Sequence, residues 1–89
     1  MIGRGHIDIE IPPKDITDIV GKMHELEFED IMVCEFGIDF ELVGKNKIDY
    51  TSTHKLRDWL KLKGYSFSIN VDEWYLSDSG GYYYDSNYN

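Results

Sequence analysis

Hydrophobic positions first fall into a pattern in GHIDIEIPP (residues 5–13), where Ile7, Ile9 and Ile11 alternate with His6, Asp8 and Glu10. A period of two predicts a half-buried strand, and Pro12-Pro13 stops it because proline cannot donate to a strand ladder. The period then changes. In PKDITDIVGKMHELEF, Ile16, Ile19, Val20, Met23 and Leu26 recur at helical spacing, with acids early in the segment where the helix dipole favours them. Gly21 weakens this helix without breaking it.

The next stretch, DIMVCEFGIDFELVGKNKIDYTS, is β-branched and aromatic. It predicts a strand in which Ile38, Phe40 and Leu42 alternate with Asp39 and Glu41. Gly37 reads as a bulge in that strand, or less favourably as a turn. GKNK signals a turn into a short strand from Lys47 to Thr51. TSTHKLRDWLKLKGY predicts the clearest helix, with Ser52 or Thr53 as N-cap and Leu56, Trp59 and Leu60 on the apolar face. Lysine fills its last turn and Gly64 lies just past its end. YSFSINVDEWYL closes with Phe67, Ile69 and Val71 alternating against Ser66, Ser68, Asn70 and Asp72, and Trp74 is expected to seal the core edge.

The order β-α-β-β-α-β predicts an α+β domain in which two helices cover one face of a four-stranded antiparallel sheet. This is the ferredoxin-like split βαβ arrangement, with the first and third strands central. Residues 1–77 form the domain. Residues 78–89, Gly80-Gly81 followed by Tyr, Asp, Ser and Asn, are expected to be a flexible tail.

Composition fits one core. The chain has 89 residues, 42 % of them hydrophobic, so a net charge of −8 does not imply disorder. That charge is uneven: residues 1–44 carry eleven acids against three bases, residues 45–63 six bases against two acids, and residues 64–89 four acids and no base. Apolar runs stop at three or four residues, as in Ile31-Met32-Val33-Cys34, too short for a signal peptide or a membrane span. A single cysteine, Cys34, forbids an internal disulfide and suits the reducing cytoplasm; it reads as a small buried hydrophobe.

The inventory for catalysis is thin. His6, His24 and His54 stand on different elements without the i, i+4 spacing of a helical metal pair, and one cysteine argues against a structural zinc site. No glycine-rich loop precedes a helix, so no phosphate cradle is formed. Ser52, Thr53 and His54 are adjacent, but adjacency in sequence is not a nucleophile–base geometry. The chain is therefore read as a binding protein, with no enzyme activity, metal or cofactor assigned.

Two binding readings compete, with a small enzyme of unassigned chemistry as a third. RNA-reading domains share this topology and stack bases on sheet aromatics. Here the corresponding face would present His6, Asp8, Glu10, Asp39, Glu41 and Asp72, which repel phosphates. Direct nucleic-acid binding would have to use Lys45, Lys47, Lys55, Arg57, Lys61 and Lys63, and it is disfavoured. With the sign reversed, the same acids become the feature. Strand residues at i and i+2 lie roughly 6.6–7 Å apart on one face, so Asp8/Glu10 and Asp39/Glu41 form rows of fixed negative charge, joined by the cluster Glu25, Glu27, Glu29 and Asp30. Such a surface attracts a basic groove that normally holds nucleic acid. Brevity, acidity and a Tyr/Asn-rich end look like the small bacteriophage proteins that inhibit host defence or transcription in this way. Tyr82, Tyr83 and Tyr84 lie beyond the core's reach and add aromatic contact area for a protein partner or a second copy. The expected partner is a protein with a basic surface.

Overall fold

Alternation begins earlier than the isoleucines suggest. The computed structural model of the chain describes residues 2–44, 47–76 and 82–88. Its first strand, β1, spans Ile2–Ile9, with Gly3, Gly5, Ile7 and Ile9 buried and Arg4 and Asp8 exposed on the opposite face. Gly5 is buried without a side chain because the Phe40 ring lies against it, where a β-carbon would collide with the ring. A 3-10 turn over Pro13–Asp15 leads into helix α1, Ile16–Glu25, which buries Ile19 and Met23.

The end of α1 is set by backbone hydrogen bonds. Glu27 donates to the His24 carbonyl at 3.0 Å and Phe28 to the Met23 carbonyl at 3.1 Å, with Glu27 in the left-handed region at φ 66°. This is the Schellman pattern, in which glycine is the usual residue at the left-handed position.

The predicted strand through Gly37 is two strands. β2 (Glu29–Cys34) and β3 (Gly37–Val43) form a hairpin that turns at Glu35-Phe36. Gly37, at φ 152°, packs so closely on β1 that a β-carbon would strike the Ile7 carbonyl oxygen. Its lack of a side chain serves that approach rather than a bulge. The bulge lies in β2 instead, where the register shifts between Glu29 and Met32 and Asp30 takes φ 50°.

The short strand expected at Lys47–Thr51 does not form. Asp49 accepts hydrogen bonds from the Thr51 N–H at 2.9 Å and its hydroxyl at 2.6 Å, and the Thr53 hydroxyl donates to the Tyr50 carbonyl at 2.6 Å. These local bonds turn the chain directly into helix α2, Thr51–Lys63. Ser52 and Thr53 consequently lie inside the helix, and the Ser52 hydroxyl donates to the Leu26 carbonyl at 2.8 Å, tying α2 to the end of α1. Gly64, at φ 88°, closes α2 as expected.

The last two strands are β4 (Phe67–Leu76) and β5 (Tyr82–Tyr88), and the sheet order is β2-β3-β1-β4-β5, antiparallel at every pairing. Strands β1–β4 form the expected four-stranded antiparallel sheet, and β5 pairs along the outer edge of β4 as a fifth strand. Tyrosine's preference for pleated structure and the ten-residue length of β4 let the chain's end pair back, with Trp74 opposite Tyr84. The Gly80-Gly81 pair, on which the expectation of a flexible tail rested, lies outside the described residues.

One core joins sheet and helices. Ile7, Ile9, Ile38, Phe40, Leu42, Ile69 and Val71 from the sheet meet Ile19, Met23, Leu56 and Leu60 from the helices, all at or below 6 % exposure. Burying each such side chain stabilises the fold by roughly 1.5–3 kcal/mol. Phe28 closes one end, its ring edge-on to Phe40 at 4.8 Å. Both helices lie on this face, so the other face of the sheet is left open among the described residues. Trp59 packs half-buried against the core as its register predicts, whereas Trp74 alternates with the buried Val71 and Glu73 and so belongs to the open face. Cys34 is exposed, contrary to expectation, because β2 is an edge strand with little packed over it.

Candidate functional site

The strand register assembles the open face row by row. Arg4 lies between Glu41 of β3 and Asp72 of β4; His6 lies between Asp39 and Asn70; Asp8 lies between Gly37 and Ser68. Met32 and Cys34 of β2 extend the second and third rows, opposite Asp39 and Gly37. Side chains of the first two rows, with Asp30 from the bulge, line a shallow groove across the sheet.

Arg4 holds the centre. Its Nε is 3.3 Å from Glu41 Oε1, and its guanidinium carbon lies 5.6 Å from the centroid of the Trp74 ring, within cation–π range. Asp39 Oδ1 is 2.6 Å from His6 Nδ1. Asp8, Asp30, Asp39, Glu41 and Asp72 nonetheless outnumber these basic groups, and the face is net acidic. Sequence reasoning missed Arg4 and the placement of Trp74 because it began the first strand at Gly5; Ile2-Gly3-Arg4 continues the same alternation.

The other predicted site residues divide into three groups. Glu10 lies past the end of β1, exposed, so the row begun by Asp8 goes no further along the strand. Glu27, Glu29 and Asp30 form an acidic corner where α1 passes into β2, and Glu29 stands directly opposite Glu41. Tyr82, Tyr83 and Tyr84 pair through their backbones with Leu76, Tyr75 and Trp74; their side chains lie outside what the structure describes.

The helical side carries charge of both signs, with Asp18 and Glu25 exposed on α1 and Asp58 exposed on α2. Lys55, Lys61 and Lys63 are exposed on α2, on the helical side, and Lys63 Nζ lies 5.4 Å from the Trp59 ring centroid. Lys45 lies outside the described residues. The trio Ser52, Thr53 and His54 does not converge, since both hydroxyls donate to main-chain carbonyls. The shifted groups Asp49 and Tyr65 lie off the open face. Hydrogen bonds from Thr51 hold the Asp49 carboxyl below its ordinary range, and the hydrogen bond to Asp15 at 2.6 Å pushes the Tyr65 phenol up to about 12. Among the described residues, no helix is long and apolar enough to cross a membrane. Comparison with protein-family models, curated proteins and solved structures returned no match.

Proposed function

We propose that this chain is a ferredoxin-like domain that acts by binding, as an acidic cytoplasmic module occupying a basic, nucleic-acid-handling surface of a partner protein. The fold reading draws on the central pair β1 and β3, flanked by β2 and β4. The functional reading rests on one observation: an uncovered sheet face carries Asp8, Asp39, Glu41 and Asp72 at strand spacing, while Lys55, Lys61 and Lys63 lie behind it on α2. A basic groove approaching from the sheet side meets the carboxylates first, and the resulting field steers and orients the encounter. The acidic corner Glu27, Glu29 and Asp30 extends this surface past the sheet edge.

The test is capture of partners by the intact protein from lysate of the source cell or its host at low and high salt, followed by affinity measurement with the purified partner. The expected partner handles nucleic acid and elutes as salt rises. Lysine at Asp8, Asp39, Glu41 and Asp72 together should weaken binding by tenfold or more, on the order of a few kcal/mol lost to like-charge juxtaposition. An unchanged affinity in a folded variant removes this face from the account. Retention of nucleic acid itself, lost on Lys55→Glu and Lys61→Glu, would transfer the function to α2.

A further inference from the structure

We infer that His6, Cys34 and Asp39 form a site for a divalent transition-metal ion of the zinc type, with one coordination position open to solvent. Nitrogen, sulfur and oxygen donors from these side chains lie within 4.8 Å of one another. They come from three neighbouring strands, β1, β2 and β3, on the open face, and they bring His6 to Cys34 and Asp39 on the distant β2–β3 hairpin. That separation, and the absence of any helical spacing, is why the sequence did not reveal them.

The local structure leaves room for an ion. His6 lies directly opposite Asp39, and Cys34 lies opposite Gly37, one row along. Gly37 puts no side chain between them, and the His6 ring leans over it: Cε1 would lie 3.3 Å from a β-carbon at residue 37. The ring is thereby turned toward the row that holds Cys34. A tetrahedral zinc ion bound at ~2.0–2.3 Å places its ligand atoms roughly 3.3–3.7 Å apart. The His6–Asp39 contact of 2.6 Å would open by about 1 Å to admit the ion. Accessible side chains on a fixed sheet can do this by rotation alone.

The donor set selects the ion class. Thiolate and imidazole suit zinc, cobalt or copper and are poor ligands for magnesium or calcium. Binding releases the thiol proton, so the weak bond from Cys34 Sγ to the Gly37 carbonyl, now 3.3 Å, is given up. The ion would then clamp the edge strand β2 to the two strands beside it. This assignment does not depend on the identity of any protein partner.

The probe is cobalt(II), added to reduced protein stripped with a chelator. One equivalent should bind, giving a thiolate-to-cobalt charge-transfer band and the visible bands of a tetrahedral ion, and zinc should displace it. Cys34→Ser should abolish the charge-transfer band. His6→Gln should weaken zinc binding by at least the ~10–100-fold seen when a supporting residue is lost. In the unmodified protein, zinc should also protect Cys34 from alkylation, a readout that requires no folded variant. Absence of the sulfur-to-cobalt band, unprotected Cys34, or equal zinc affinity in the parent and both folded variants would overturn the site and leave diffuse binding by surface carboxylates.

Discussion

Replacing Glu27 with glycine should stabilise the fold, and the size of the effect follows from the end of α1. Glu27 occupies φ 66° so that its N–H and that of Phe28 can reach the carbonyls of His24 and Met23. A side chain in that conformation costs about 1 kcal/mol or somewhat more. Its carboxylate also sits at the negative end of the helix dipole, an unfavourable contribution of about 0.3 kcal/mol on an exposed surface. Against these, glycine adds about 0.5–1 kcal/mol of freedom to the unfolded chain. The net is a gain of about 0.5–1 kcal/mol, or a rise of about 2–8 °C in Tm for a domain of this size. Urea and thermal unfolding followed by circular dichroism would measure it. Glu27→Lys separates the terms, because it keeps the β-carbon and reverses the charge; it should recover the dipole contribution alone. If Glu27→Gly is neutral or destabilising while Glu27→Lys is fully stabilising, backbone conformation is not the source and the helix ending described here is wrong.

Two further predictions concern contacts that hold the sheet to its helices. Gly5→Ala should destabilise by about 1–3 kcal/mol, because the new methyl group meets the buried Phe40 ring, itself held edge-on by Phe28. The urea midpoint should fall with an unchanged slope, and Phe40→Leu in the same chain should recover part of the loss; no coupling between the two changes would refute the contact. The Tyr65 phenol should ionise near pH 12 rather than 10, and Asp15→Asn should return it toward the ordinary value. Since folding raises this pKa, the bond's contribution is whole below about pH 10 and is lost as pH rises through about 12. Tyrosinate absorbance of the parent minus that of Tyr65→Phe isolates the transition, and a midpoint near 10 would show that the bond to Asp15 is absent.

Much of the architecture was legible in period alone. Ile7 and Ile9, Ile19 and Met23, Leu56 and Leu60, and Ile69 and Val71 were all assigned to buried faces from their spacing, and all are buried. The errors came where backbone demands outweighed side-chain pattern. Gly37 looked like an interruption of one strand because its role, close approach to the Ile7 carbonyl, depends on a strand thirty residues away. Lys47–Thr51 looked like a strand because the hydrogen bonds of Asp49 and Thr53, which turn the chain into α2, do not show in hydropathy. The candidate site was half legible. Asp8, Asp39, Glu41 and Asp72 share the open face as alternation implied, but the pairing of Arg4 with Glu41 and of His6 with Asp39 required the strand register.

A purely solubilising role does not require the positions the acids take. Any exposed position would serve that purpose, yet Leu62, Phe36 and Val43 are left apolar at 86, 71 and 68 % exposure. Acids instead occupy positions where the fold disfavours them: Glu27 and Asp30 have positive φ. Left-handed backbone at a non-glycine residue costs on the order of 1 kcal/mol. Together the two positions approach ~2 kcal/mol, a large share of the ~5–15 kcal/mol that holds a domain folded. Arg4 relieves some of the repulsion on the open face, but its bond to Glu41 is a partly exposed ion pair. Such a pair contributes about 1 kcal/mol at most, so a cation on a partner can replace it at little expense. An acidic surface that includes strained backbone positions, with Arg4 held by a partly exposed ion pair and the Trp74 ring, is what the proposed cation-receiving role asks of this face.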